Sequence, residues 1–283
     1  MRRCFCFFAL LLLLTAGPVA GQCISQPNVA VWPDAHAPIQ PRQIFLFSAE
    51  LNTIACPKLA QFGHQIQVYL WSKQDSVPLL LLEQPANRFS SARQVLMQPA
   101  RPLLPDTTYQ LRTSLPSSAG YSLFRMQRAQ AGSKQLVIVH RWRVSSTLPD
   151  TQAPRWTATP TPVRQEYSEN SEGINNYVLF SFPVQDASPV LVRVTIRSAR
   201  LKAPVISYLT PWQNQLGIGW FTCDGNFTFG PDEACTATFE ALDAASNRSQ
   251  ATGRPIPFRG PTRPGQGPTE TSTREVEPFV TRR

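Results

Sequence analysis

Aromatic side chains that could bind a ligand are concentrated in one stretch of this 283-residue sequence, between Pro211 and Cys235. The candidate contacts there are Trp212, Trp220, Phe227 and Phe229. Flat aromatic rings on a rigid surface can stack against the apolar faces of sugars. Trp220 and Phe221 are neighbours in one predicted strand, so one of the two should face a core. The stretch is a candidate carbohydrate site, and ordinary core packing is the favoured interpretation.

A second candidate binding stretch runs from Ser117 to Lys134 and is long for a connection between two strands. It mixes aromatic and basic side chains, and the candidate contacts are Tyr121, Phe124, Arg125 and Arg128. Long ordered loops often carry function. This composition suits a glycan or an anionic partner. The alternative is a loop that covers one end of a sandwich, with Phe124 buried.

The sequence lacks the common catalytic signatures, including the G-x-S-x-G elbow, H-E-x-x-H and the glycine-rich phosphate-binding loops. It contains only three histidines, and one of them, His140, falls in a predicted strand. The carboxylate pairs Asp232–Glu233 and Glu166/Glu169 fall in polar stretches, where solvated side chains are expected. We therefore predict that the protein is not an enzyme and has no catalytic residues, metal site or cofactor.

The first residues predict an export signal. Arg2 and Arg3 precede an apolar run from Cys4 to Leu14, and small residues follow as far as Gly21. This order is typical of a secretory signal peptide, and the run is shorter than the roughly 20 residues that span a bilayer. We expect residues 1–21 to be removed, no transmembrane segment to remain, and a secreted, periplasmic or cell-surface location.

Four cysteines follow the predicted signal peptide: Cys23, Cys56, Cys223 and Cys235. An even number of cysteines in an exported chain predicts disulfides, and four cysteines allow three pairings. The most economical pairing joins Cys23 to Cys56 and Cys223 to Cys235, one bond in each half of the chain. A zinc site is the rival interpretation, but the sequence has no C-x-x-C spacing to support it.

Basic residues outnumber acidic ones by 27 to 18, which gives a formal net charge of +9. Such a balance suits nucleic acid or an anionic surface. An exported protein is kept from nucleic acid, so the candidate partners that remain are a glycan, an anionic envelope polymer or another envelope protein. Scattered arginines that only keep the surface soluble are the favoured interpretation, and the partner stays unknown.

Period-two alternation of apolar and polar residues recurs along the chain, whereas helical periodicity is nearly absent. In the stretch 190–197 the even-numbered residues are all Val or Ile and should face inward, and the odd-numbered ones outward. Further strands are predicted at 42–48, 64–71, 77–83, 93–98, 107–113, 135–144, 176–182, 205–209, 216–223, 234–242 and 249–256. A polar, proline-bearing stretch at 145–154 separates two sets of strands. We predict an all-β chain with sandwiches at 22–149 and 150–257 and a disordered tail at 258–283.

Short motifs resemble those of bacterial immunoglobulin-like and fibronectin type III-like domains. Residues 103–111 (LLPDTTYQL) resemble their turn and following strand, 150–154 (DTQAP) the start of the next domain, and 186–190 (DASPV) an internal turn. Residues 242–247 (LDAASN) resemble their final hairpin, with Ser246 in place of the usual glycine. The resemblance implies two tandem immunoglobulin-like β-sandwiches, with Tyr109 packed at a corner and its hydroxyl bonded to backbone. It implies an extracytoplasmic module that displays or binds, and no activity.

These features together predict an exported, non-enzymatic binding or structural spacer protein of the cell envelope or extracellular space. The first alternative is a carbohydrate-binding or adhesive module that uses the aromatic loop 211–235. The second is a hydrolase with an unrecognised site, for example a cleft in which His140 meets a carboxylate and a hydroxyl.

Overall fold

The computed structural model describes residues 29–263 apart from 36, 116–122, 125, 129–135, 139, 147–149, 171–172 and 223. The predicted signal peptide, Cys23, Cys223, Tyr121 and Arg125 lie outside the described residues. The protein is all-β, as predicted, and its sheets are antiparallel. Among the described residues, no helix has the length and apolar character needed to cross a membrane.

The part of the chain from residue 29 to residue 146, here called the first lobe, forms one seven-stranded sheet and a small two-stranded ribbon. Its elements are β1 (Ala30–Trp32), β2 (Phe45–Glu50), α1 (Ala55–Leu59), β3 (Val68–Trp71), β4 (Ser76–Glu83), β5 (Ala92–Pro99), β6 (Thr108–Thr113), β7 (Met126–Arg128), β8 (Leu136–Ile138) and β9 (Arg141–Arg143). The sheet order is β1-β2-β5-β4-β3-β6-β9, and β7 pairs with β8.

The large sheet of the first lobe folds over on itself. β2 and β9 are five positions apart in the sheet, which would separate them by about 24 Å if the sheet were flat. Yet the rings of Phe45 on β2 and Trp142 on β9 meet edge to face with their centroids 5.1 Å apart. The two halves of the sheet therefore enclose one core, and Trp142, Tyr109 and Phe45 are fully buried in it.

The part from residue 150 to residue 263, here called the second lobe, has two four-stranded sheets and one two-stranded ribbon. Its elements are β10 (Arg155–Trp156), β11 (Pro162–Asn170), β12 (Gly173–Ser181), β13 (Val184–Gln185), β14 (Val190–Ser198), β15 (Val205–Leu209), β16 (Gln215–Phe221), β17 (Asp224–Gly225), β18 (Ala234–Asp243) and β19 (Ile256–Arg259). The sheet orders are β11-β12-β16-β17 and β15-β14-β18-β19, and β10 pairs with β13. Phe180 of the first sheet contacts Phe239 and Phe258 of the second, with ring centroids 5.2 and 5.1 Å apart, so the two sheets share one core.

The structure differs from the sequence predictions at β11, at residues 249–256 and at residue 258. A strand was not predicted at β11, whose residues are largely exposed and carry little alternation. The prediction of a strand at 249–256 is wrong, because the strand that pairs with β18 is β19 at Ile256–Arg259. The prediction of a disordered tail is wrong at its start, because Phe258 is 8% exposed and packs into the second core, while residues 264–283 lie outside the described residues.

The two lobes are joined by a third apolar cluster. Ile44, Leu46 and Leu96 of the first lobe pack there against Leu191, Tyr208 and Leu242 of the second. β2 is therefore buried on both faces, since Phe45 and Phe47 face its own core while Leu46 faces the other lobe. The same holds for β14, where Leu191 was expected to face outward and is fully buried at the junction.

Polar contacts also cross the junction between the lobes. The Gln94 side chain donates to the carbonyl of Tyr208 at 2.9 Å and accepts from its backbone N–H at 2.8 Å. The backbone N–H of Ser91 donates to the carbonyl of Gly225 at 2.8 Å, and that of Ile44 to Ala244 at 2.9 Å. Buried backbone groups that pair across a junction hold one orientation, because separating the lobes would leave them unsatisfied until water enters.

Phe89 extends the first lobe into the second. It lies between β4 and β5 and is 4% exposed, yet its ring belongs to the core of the second lobe. The ring lies 5.8 Å from that of Phe227, and the Arg200 guanidinium lies 4.9 Å from its centroid. Asn87, two residues earlier, donates to the Asn226 carbonyl at 2.8 Å. The second core is thus complete only when the β4–β5 connection of the first lobe is inserted.

Candidate ligand-binding cleft

A cleft of about 520 Å³ opens between the lobes. Its walls include Trp32 and Leu46 from the first lobe and Tyr208, Trp212, Phe221 and Asp224 from the second. This volume lies in the range of small-ligand pockets, which are usually lined by apolar and aromatic groups with a few polar ones. Because each wall comes from a different lobe, the shape of the cleft depends on the fixed junction described above.

Trp212 is the most exposed of these aromatic side chains, at 67% of its surface. It lies where β15 turns back into β16, and it exchanges two backbone hydrogen bonds with Gln215 at 3.0 and 2.9 Å. The two residues between them, Gln213 and Asn214, have φ angles of 48° and 58°. Two successive positive φ angles are the mark of a tight two-residue hairpin. The turn therefore holds a large apolar ring in water on a rigid support.

Phe221 forms another part of the cleft wall. Its ring stacks on that of Tyr177, with centroids 4.5 Å apart and an interplanar angle of 18°. The ring also lies directly over Gly217 of the same strand, where an added Cβ would come within 2.4 Å of the Phe221 ring. Gly217 leaves room for the ring, and any larger residue at 217 would displace Phe221.

Of the four aromatic residues predicted to bind ligand in the stretch 211–235, only Trp212 is on the surface of the cleft. Phe227 and Phe229 are 0% and 6% exposed and contact each other with ring centroids 5.0 Å apart. Trp220 lies on the same side of β16 as the core residue Ile218 and is half-buried. The prediction for Phe227 and Phe229 is therefore wrong, because their rings fill the second core around Phe89. Trp32 was missed, because neither its spacing nor its neighbours place it at a junction, and Phe221 was noted in the strand but not chosen as a contact.

The candidate contacts in the stretch 117–134 gain no support from the described residues. Phe124 is 6% exposed and its ring lies 5.9 Å from Phe47 and 6.1 Å from Phe62, so it is a core residue and not a ligand contact. Arg128 ends β7, which pairs with β8. Tyr121 and Arg125 lie outside the described residues.

Cys56 and Cys235 are buried free thiols in the structure. Burial raises the pKa of the Cys235 thiol far above its ordinary value, and the nearby Glu233 adds to the rise. Their predicted partners, Cys23 and Cys223, lie outside the described residues. The disulfide pairing stays a prediction, which peptide mapping of the exported protein without reduction would test.

An ion pair between Glu83 and Arg193 joins the two lobes next to the cleft. The Arg193 guanidinium donates to both carboxylate oxygens of Glu83 at 3.0 Å, and the Tyr208 hydroxyl donates to Glu83 at 2.6 Å. Burial by itself would raise the pKa of Glu83, but these hydrogen bonds from Arg193 and Tyr208 hold it below the ordinary value. Burial raises the pKa of Tyr208, and its bond to Glu83 raises it further. Glu83 is therefore ionised at neutral pH and ties the two lobes together.

Three carboxylates meet at the start of the second lobe, where Asp150, Asp186 and Asp243 place oxygen atoms within 4.8 Å of one another. Carboxylate oxygens are the donors that a hard divalent cation prefers. Here both oxygens of Asp243 already accept hydrogen bonds from Asn247, each at 2.6 Å. Burial raises the pKa of Asp243 to about 6, and the neighbouring Asp186 and Asp150 contribute to the rise. Asn247 also donates to the Asp150 carbonyl at 3.0 Å, which ties the stretch between the lobes to the end of β18.

His140, Glu166 and Glu169, which the sequence offered as residues for catalysis, make packing and hydrogen-bond contacts with neighbouring side chains. His140 is 4% exposed, stacks on Trp142 with ring centroids 5.6 Å apart and meets Phe124 edge-on at 6.2 Å. A hydrogen bond from the Tyr177 hydroxyl at 2.7 Å lowers the pKa of Glu166, with a smaller contribution from Arg164. Glu169 accepts from Tyr167 and, at 2.7 Å, from Arg263.

Comparisons with known proteins leave the chain without a family. No family model matches it, and no curated protein matches it. Among solved structures, a cytokine receptor complex is similar with a TM-score of 0.24 and 10% identity, covering 83% of this chain and 98% of that one. A type I pullulanase from Bacillus subtilis complexed with maltose is similar with a TM-score of 0.21 and 8% identity. The match covers 84% of this chain and 28% of the pullulanase chain. At these TM-scores neither likeness bears on the function.

Proposed function

We propose that the chain is an exported, non-enzymatic binding protein of the cell envelope or extracellular space, built from two tandem immunoglobulin-like sandwiches. The immunoglobulin-like assignment is supported by Tyr109, which is fully buried and whose hydroxyl accepts from the backbone N–H of Leu104 at 3.2 Å. That contact is the one the motif at 103–111 implies. The same hydroxyl donates to Asp75 at 2.8 Å, so the corner is tied to the β3–β4 turn as well.

The observation that carries the binding role is the cleft between the lobes. Trp212 presents a large apolar ring that is 67% exposed, and a tight two-residue turn holds it at the rim. Trp32 faces the same cleft from the other lobe. A spacer would need neither ring in this position, so binding is favoured over a purely structural role.

A carbohydrate is the ligand class that this cleft fits best, and a carbohydrate-binding or adhesive module is the second candidate function. The rings of Trp32, Trp212 and Phe221 offer apolar surface for sugar faces, while the Asp224 carboxylate and the Gln215 side chain offer polar partners for hydroxyl groups. Hydrolysis would need a general acid and base at the cleft. The cleft wall includes carboxylates of Asp34 and Asp224, and the Asp224 carboxylate already accepts a hydrogen bond from Ser91.

The test is a glycan-array screen of the purified protein, followed by titration calorimetry with the strongest glycan. Trp212→Ala should weaken binding at least about fivefold, because a central aromatic contact contributes more than about 1 kcal/mol. Leu80→Ala is the matched control, since Leu80 is also an exposed apolar residue, at 50%, and lies on β4 away from the cleft. Equal affinity of Trp212→Ala and the native protein would refute the cleft as the site. Release of shortened glycan during the titration would instead favour a hydrolase.

A further inference from the structure

We propose that the outer face of β3, β6 and β9 in the first lobe is a second binding site, for an acidic polysaccharide. This site is independent of the cleft. The face is defined by six outward side chains: Tyr69, Trp71, Gln110, Arg112, Arg141 and Arg143. The residues that alternate with them, such as Leu70, Tyr109 and Trp142, are buried in the core of the first lobe.

The strand register gathers these six side chains into one surface. Trp71 pairs with Gln110 across β3 and β6, and Gln110 pairs in turn with Arg141 on β9. Tyr69 pairs with Arg112. Directly paired residues lie about 5 Å apart and diagonal ones about 7–8 Å, so each arginine is within reach of the next. Arg112, Arg141 and Arg143 therefore form a row of three arginine positions on one face, beside two aromatic residues.

Arg112 is held in place by Trp71. Its guanidinium carbon lies 3.6 Å from the centroid of the Trp71 ring, which is close contact between two planar groups. Such stacking fixes the plane of the guanidinium while leaving its N–H groups directed away from the ring. A fixed planar fork is suited to two parallel hydrogen bonds with a carboxylate or sulfate.

The charge of the face is unbalanced. β3, β6 and β9 contain three arginines and no Asp or Glu. Within the part of the chain that the structure describes, neither Arg112 nor Arg141 forms a salt bridge. Arg143 pairs with Asp106 at 3.1 Å, but both side chains are more than half exposed, so the pair is weak and an anion can displace Asp106.

These features select a polymer of acidic sugars over other anions. A row of arginines meets charges repeated along a chain, and Tyr69 and Trp71 beside the row provide the flat apolar surface that sugar rings contact. The positive charge of the face has the same sign as the net charge of +9 of the whole chain, which also attracts polyanions. Inorganic phosphate would use the arginines but gain nothing from the rings.

The test measures binding of the purified protein to immobilised heparin and to polygalacturonate at several salt concentrations, with neutral dextran as the uncharged probe. The two acidic polymers distinguish sulfate from carboxylate recognition. Arg112→Ala/Arg141→Ala should weaken binding to the preferred polymer at least about tenfold, because each charge-assisted hydrogen bond contributes more than a neutral one. The slope of log affinity against log salt should fall by about one for each arginine removed.

Arg197→Ala is the matched control for Arg141→Ala, since Arg197 is an exposed strand arginine in the second lobe and each substitution removes one positive charge. Arg141→Ala alone separates binding from folding, because Arg141 is exposed and makes no core contact. A loss on Arg197→Ala as large as that on Arg141→Ala would overturn the proposal, as would equal affinity for a DNA oligonucleotide or no binding to either polymer at about 50 mM salt. Failure of this site would leave the cleft and its Trp212→Ala test unaffected.

Discussion

Replacement of Phe89 by alanine tests whether the two lobes form one folding unit. Phe89 is 4% exposed and lies in the second core although the chain reaches it from the first lobe. A buried phenylalanine removes 150–250 Å² from water, and Phe→Ala substitutions in cores cost about 3–5 kcal/mol in unfolding free energy. The substitution also removes the contact with the Arg200 guanidinium. We expect a loss of about 4 kcal/mol, a large share of the 5–15 kcal/mol typical of whole domains.

The measurement is urea denaturation followed by circular dichroism and by tryptophan fluorescence. If the native protein unfolds in one transition with a slope of about 3 kcal/mol per molar urea, the midpoint of Phe89→Ala should fall by about 1.3 M. Because the second core is completed by Phe89, its loss should also let the lobes unfold separately, so that the two probes no longer coincide.

Two controls make this reasoning refutable. Leu80→Ala, at an exposed position of the neighbouring strand, should change the unfolding free energy by less than about 0.5 kcal/mol. A double-mutant cycle with Phe227→Ala should give a coupling energy of about 0.5–1.5 kcal/mol, since the two rings are 5.8 Å apart. A loss below 1 kcal/mol on Phe89→Ala, with coincident transitions, would show that Phe89 does not complete the second core.

Two predictions concern pH. Because the pKa of Asp243 in the folded protein is about 6, above its unfolded value of 3.8, the folded state binds the extra proton between these values. This proton stabilises the folded state below pH 4, and the stabilisation, about 3 kcal/mol of unfolding free energy, is lost as the pH rises through 6. The pH dependence should disappear in Asp243→Asn. Thermal melting of both proteins between pH 4 and pH 7 measures it. The pKa of Glu83 is shifted downward, so its contribution is present above the unfolded value and lost on acidification through the folded one. Glu83→Gln should lower the unfolding free energy by about 1–2 kcal/mol at pH 7, a figure reduced because the pair is partly exposed. The difference in stability between the native protein and the variant should shrink toward pH 3. A difference that does not change with pH would contradict the ion pair with Arg193.

The sequence by itself determined the all-β character and the facing of most strands. In β14 the even-numbered residues from 190 to 196 are β-branched, and Val192, Val194 and Ile196 are fully buried, as the alternation predicts. Successive side chains on a strand point to opposite faces, so alternation decides which residues share a surface. The hydrogen bond from the Leu104 backbone N–H to the Tyr109 hydroxyl, which the motif resemblance implies, is present and is local in sequence, five residues apart.

Only the tertiary structure decided what the outward faces meet. Leu191 and Arg193 alternate with the core residues of β14 and were expected to face water, yet Leu191 is buried at the junction and Arg193 pairs with Glu83, 110 residues away. The cleft follows the same logic, since Trp32 and Trp212 are 180 residues apart and come together only when the lobes dock. Alternation determines on which side of a strand each residue lies. Which of those sides meets another part of the protein depends on the shape and charge of segments that are distant in the sequence.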